Sequence, residues 1–64
     1  MSNTDLCTKI LNFIVENGRV QQTDEGFDEI SLIEEVKFEA QERNLSEQQI
    51  QECVNFAIYH SQLA

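Results

Sequence analysis

The stretch Leu45-Ser46-Glu47-Gln48-Gln49-Ile50-Gln51-Glu52-Cys53-Val54-Asn55-Phe56-Ala57-Ile58-Tyr59-His60-Ser61-Gln62-Leu63 decides the fold. Ser46 is a strong helix N-cap, because its hydroxyl can accept from backbone N–H groups left free in the first turn. Gln49, three residues on, can reach back to the Ser46 N–H and complete a capping box, and Leu45 with Ile50 supplies the hydrophobic staple. Beyond the cap, Ile50, Cys53, Val54, Ala57, Ile58 and Ser61 recur at helical spacing on one face. Phe56, His60 and Leu63 widen that face on one flank. Gln48, Gln51, Glu52, Asn55, Tyr59 and Gln62 form the polar side. Such a helix needs something to lie against.

Upstream, Asn3 or Thr4 caps a first helix, with Asp5 suited to its positive N-terminal end. Leu6, Ile10, Phe13 and Ile14 make its core stripe, widened by Cys7, Leu11 and Val15. A helix this apolar is buried on more than one side. Asn17-Gly18 ends it, glycine being the usual left-handed residue after a helix. Asn-Gly is also the favoured type I′ hairpin turn. A second strand over Arg19–Gln22 would carry only Val20 as an apolar residue, so the helix end is preferred. Residues 18–27 contain both glycines and no helical period, and are expected to form a loop. The second helix is predicted over 28–43. Leu32, Ile33, Val36 and Ala40 make its main stripe, and Phe27, Ile30 and Phe38 fall on a different side. Asp28, Glu35, Glu39 and Glu42 form a carboxylate ridge. The sequence thus predicts an all-α domain of three helices, 4–17, 28–43 and 46–63.

Sixty-four residues make one domain near the lower limit for folding alone. Cys7 and Cys53 each lie on an apolar face and are expected to be reduced core residues. A disulfide between them requires the first and third helices to pack with those positions facing. The polar N-terminus has no basic region before an apolar run, and no apolar run is long enough for a membrane span. A cytoplasmic protein is expected.

The net charge is −8, from 12 acidic and 4 basic residues. That disfavours direct binding to nucleic acid or an anionic membrane, both of which need Lys and Arg. It suits a basic protein partner, or imitation of a polyanion by carboxylates placed like phosphates. Ten of the acids lie between Asp24 and Glu52, so the charge belongs to the middle of the chain.

Asp24 to Glu35 matches a calcium loop in part, with acids at its first, fifth and twelfth positions. Its third position is Gly26, and Glu29 stands where the sharp turn of that loop needs glycine. His60, the one histidine, and two distant cysteines give no zinc spacing. No nucleophile–base pair, split carboxylate pair or phosphate-binding glycine loop is visible. No enzyme, metal or cofactor is expected.

Helix two, the turn at 44–46 and helix three could act as a helix-turn-helix, with Gln48, Gln49, Gln51 and Asn55 of the types that read adenine. Glu47 and Glu52 flank them, and helix three has no Lys or Arg for phosphates. The sequence reads best as a small acidic interaction protein, a regulator or inhibitor acting by protein–protein binding. Its size and charge fit small regulatory proteins, phage-encoded ones included. A transcription regulator using helices two and three, or an acidic DNA mimic, is the alternative. The binding residues expected are the carboxylates Asp28, Glu35, Glu39 and Glu42 and the apolar group Leu11, Val15, Phe27, Ile30 and Phe38. That apolar group is also the expected face of a homodimer, since three helices alone leave it facing water.

Overall fold

The computed structural model describes residues 3–24 and 26–63, with side chains described for 4–21, 24 and 26–60. Three helices form the body: α1 (Asn3–Glu16), α2 (Glu29–Glu42) and α3 (Glu47–Leu63). Between α1 and α2 lie two short strands, β1 (Gln22–Thr23) and β2 (Gly26–Phe27). The three-helix architecture and its boundaries agree with the sequence to within a residue at each end.

The start of α3 and the ends of α1 and α2 each have an identifiable chemical cause. At the start of α3, the Gln49 backbone N–H donates to Ser46 Oγ at 3.2 Å and the Ser46 N–H donates to Gln49 Oε1 at 3.0 Å, so the reciprocal box is closed. Leu45 and Ile50, the staple pair, are both half-buried against the core. At the end of α1, Gly18 takes φ +64°, its N–H donates to Val15 O, and the Arg19 N–H reaches back to Ile14 O. That pair of bonds is a Schellman motif, which satisfies carbonyls that a helix end otherwise leaves open. The end of α2 repeats it with asparagine: Asn44 at φ 60° donates to Gln41 O, and the Leu45 N–H donates to Ala40 O. Asn44 therefore closes one helix two residues before Ser46 sets up the next.

The core is a single cluster. Cys7, Ile10 and Ile14 of α1 meet Leu32, Val36 and Ala40 of α2 and Cys53, Val54 and Ala57 of α3. The most extensive helix–helix packing is between α2 and α3, and α1 lies across both.

Three expectations need correction. The cysteines are not free: Cys7 and Cys53 form a disulfide, both residues buried, with Cα atoms 4.9 Å apart. The first and third helices do pack with these positions facing, which helical periodicity alone could not decide. Second, residues 18–27 are not wholly irregular. Gln22 pairs with Phe27 and Thr23 with Gly26 in a small antiparallel ladder, and the Asp28 N–H extends the link to Gln21 O. Gly26 is buried at φ +121°, a conformation open to glycine. Val20 enters the core from this segment, and β2 packs on α3. Third, Phe13 is not a core residue: it is 40% exposed, and its ring faces arginines instead.

Candidate functional site, a guanidinium clasp between α1 and α2

The Schellman motif fixes the backbone of Arg19 at the end of α1, and its side chain crosses to α2. There Nη1 donates to Glu39 Oε1 and Nη2 to Glu35 Oε2. Glu35 and Glu39 are four residues apart, hence neighbours on one flank of the helix. The guanidinium carbon lies 5.4 Å from the Phe38 ring centroid and 6.0 Å from that of Phe13. Arg43, at the end of α2, sits 5.6 Å from the Phe13 centroid and 3.9 Å from Glu39 Oε2. Two arginines, two carboxylates and two aromatic rings thus close the seam between α1 and α2.

Glu39 is the buried member. A carboxylate removed from water needs cationic donors to offset its lost hydration, and Arg19 with Arg43 provides them. In return, the hydrogen bond that Arg19 donates to Glu39, then its bond to Glu35 and the charge of Glu35, raise the Arg19 pKa above its ordinary value against the opposing effect of burial. The Arg19 guanidinium therefore stays charged throughout the neutral range. What this arrangement can do chemically is hold a cation between carboxylates and a ring. It does so with the chain's own arginine.

Beside it lies an open depression of about 320 Å³ lined by Arg19, Glu34, Glu35 and Phe38. Phe38 is 51% exposed there and Ile30, two turns earlier, 71% exposed.

The carboxylates singled out in the sequence have separate fates. Asp28 precedes α2 as its N-cap, and its Oδ2 accepts from Ser31 Oγ at 3.1 Å rather than from a helix N–H. Glu35 and Glu39 belong to the clasp, and Glu42 is exposed in the last turn. Of the apolar group, Leu11 and Phe27 are half-buried against the core, while Val15, Ile30 and Phe38 are exposed. By the helical step of about 100° per residue, Leu11 and Val15 lie on one flank of the α1 core stripe and Phe13 on the other. Phe13 faces the clasp, so Leu11 and Val15 are turned away from Phe38 and the five residues do not form one patch.

With Arg43, Arg19 is a residue of this candidate site that the sequence does not single out. The available signal was composition: it is one of four basic residues in the chain, and it follows the helix-ending glycine. Of the calcium-like stretch, Asp24 is exposed beside the hairpin turn, while Asp28 and Glu35 have the protein partners given above. No group of three or more metal-ligating side chains comes together among the described residues. On α3, Gln49 is engaged in the capping box, and Gln51 Nε2 donates to Asn55 Oδ1 at 3.1 Å. His60 stacks on Phe56 with ring centroids 4.2 Å apart.

Comparison with known protein families, with curated proteins and with solved structures finds no match for this chain. Fold and site together define a small acidic three-helix domain, cross-linked through its core and clasped at one seam. Among its described residues, no helix is long and apolar enough to cross a membrane.

Proposed function

We propose that this chain is a non-enzymatic interaction protein, a regulator or inhibitor that acts by binding another protein, with a basic surface as its complement. The observation that carries this reading is the exposure of Phe38 beside carboxylates on α2. Phe is enriched at protein interfaces, and an aromatic anchor with a polar rim is the usual make-up of a binding patch. The net charge of −8 supports a basic partner through complementarity.

Self-association belongs to the same reading. With Leu11 and Val15 turned away from Phe38, the α1 flank that carries them is its best face. The expectation is a cytoplasmic, reduced protein, and the Cys7–Cys53 bond counts against the reduced state. Such bonds persist chiefly in oxidising compartments.

The test is affinity capture on the immobilised full chain from its source cell, followed by reconstitution with the purified captured protein. A saturable complex that weakens with added salt is expected. No saturable partner, together with a monomer mass by sedimentation equilibrium at micromolar concentration, would refute the reading.

A further inference from the structure

Ile30, Glu34 and Phe38 stand at i, i+4 and i+8 on α2, all three exposed. At about 1.5 Å per residue they span roughly 12 Å of helix. By the same angular step, this stripe lies opposite the buried stripe Leu32, Val36 and Ala40. The helix therefore has two apolar edges, one spent on the core and one facing outward, with a carboxylate in the middle of the outward one.

We propose that this outward stripe docks an amphipathic helix of a partner protein whose apolar edge is flanked by arginine or lysine. The inference rests on the protein-binding reading above and names the partner's chemistry. Four observations carry it. Single exposed apolar residues are ordinary on protein surfaces, but here two large ones are aligned on one helix edge. One side of the Phe38 ring is already held by Arg19, so less side-chain freedom is lost when the other is covered. The depression beside Phe38 gives an incoming side chain a place to enter, and exposed Glu34 stands on its rim as a charged acceptor. Finally, the clasp displays the recognition chemistry within the chain itself: a guanidinium over Phe38 and bonded to Glu35.

The charges choose among occupants. A second copy of this chain, docked through the same stripe by a two-fold axis, would set Glu34, at the centre of the stripe, against its own counterpart, with Lys37 the one cation on the exposed side of this helix. A nucleic acid would bring phosphates to the same carboxylate. A basic amphipathic helix meets both the apolar edge and the charge.

The full-length protein, with its disulfide intact and labelled with ¹⁵N, is titrated with three synthetic helical peptides. The first has a leucine edge flanked by arginines. The second replaces those arginines with glutamates, and the third keeps the arginines but replaces the leucines with glutamine. Saturable shifts centred on Ile30, Glu34 and Phe38 are expected with the first alone. Ile30→Ser or Phe38→Ser should each weaken them about tenfold. Far-UV circular dichroism checks that each variant folds, and Ile30→Ser, remote from the clasp, covers the case in which Phe38→Ser unfolds.

Saturable binding of the first peptide elsewhere would overturn the docking stripe and leave the protein-binding reading standing. Equal binding of the third peptide would reduce the effect to bulk charge and overturn the proposal, as would equal binding of the second. Self-association lost in Ile30→Ser would make a second copy the occupant and overturn it too. No binding of any peptide by a monomeric protein that captures no partner would remove both readings.

Discussion

Arg19 and Glu39 are twenty residues apart in the chain and joined side chain to side chain, with Glu39 the one described charged residue that is buried. Each is the other's main partner, with Glu35 second for Arg19 and Arg43 second for Glu39. A buried carboxylate that loses its partner keeps its desolvation cost. We predict that Arg19→Ala lowers the melting temperature, and that adding Glu39→Gln to it recovers part of the loss. A double-mutant cycle measures this. Additive losses would mean that the pair is not coupled. Because the Arg19 pKa is raised in the fold, the contribution of its charge is fully present below the ordinary arginine value and is lost only as pH rises through the raised value. Ionisation of Arg19 therefore gives no pH dependence of stability in the neutral range.

The left-handed residues that end α1 and α2 give a matched pair of tests. Nothing lies within 4 Å of a Cβ built on Gly18, so Gly18→Ala meets no steric obstacle beyond its own φ of +64°. It should cost about 1 kcal/mol. Asn44→Ala should cost a similar amount, whereas Asn44→Gly should stay within roughly 0.5 kcal/mol of the parent. Urea midpoints at constant slope report these differences, and an unaffected Gly18→Ala would count against the left-handed helix end.

Removal of the Ser46 hydroxyl should cost about 1 kcal/mol. Gln49→Ala opens the other half of the box and should cost less, since the Ser46 N–H it leaves is exposed to water. If Ser46→Ala melts at the parent temperature, the box is not a source of stability.

Reduction of Cys7–Cys53 releases a link between residues 46 positions apart. The chain-entropy relation gives about 4 kcal/mol for a loop of this length, a large fraction of what so small a core supplies. The reduced protein should melt far lower, and the native oxidised protein should show no thiol titre. A full titre in protein isolated without reductant, or an unchanged melting curve after reduction, would contradict a structural disulfide.

How far the sequence could be read follows from the distance over which each feature acts. The capping box joins Ser46 to Gln49, so three residues of spacing and two side-chain chemistries suffice to find it. The end of α1 at Asn17-Gly18 is equally local. Arg19 is different: nothing near it in sequence announces Glu35 or Glu39, and the pairing exists only after α1 docks on α2. The disulfide has the same character, since periodicity places Cys7 and Cys53 on apolar faces but leaves open whether those faces meet. Val20, one apolar residue among polar neighbours, gave no period, yet it is buried because the hairpin turns the chain back at Gly26. The sequence between the two strands, Asp24-Glu25, is not the asparagine–glycine pair that marks a tight hairpin. For the expected binding residues, sequence gave exposure on helix two but not grouping, because the flank on which Leu11 and Val15 lie depends on which side of α1 faces α2.

The Cys7–Cys53 bond has a mechanical meaning as well. It closes residues 7–53 into a covalent ring that contains the hairpin, the clasp and the whole of α2. Covalent tension applied through residues outside the ring passes across the sulfur bridge and bypasses the backbone of α2. A protease that cuts at Asp24 opens the ring without releasing a fragment, so the nicked protein gains only one water and stays in one piece until a reductant is added.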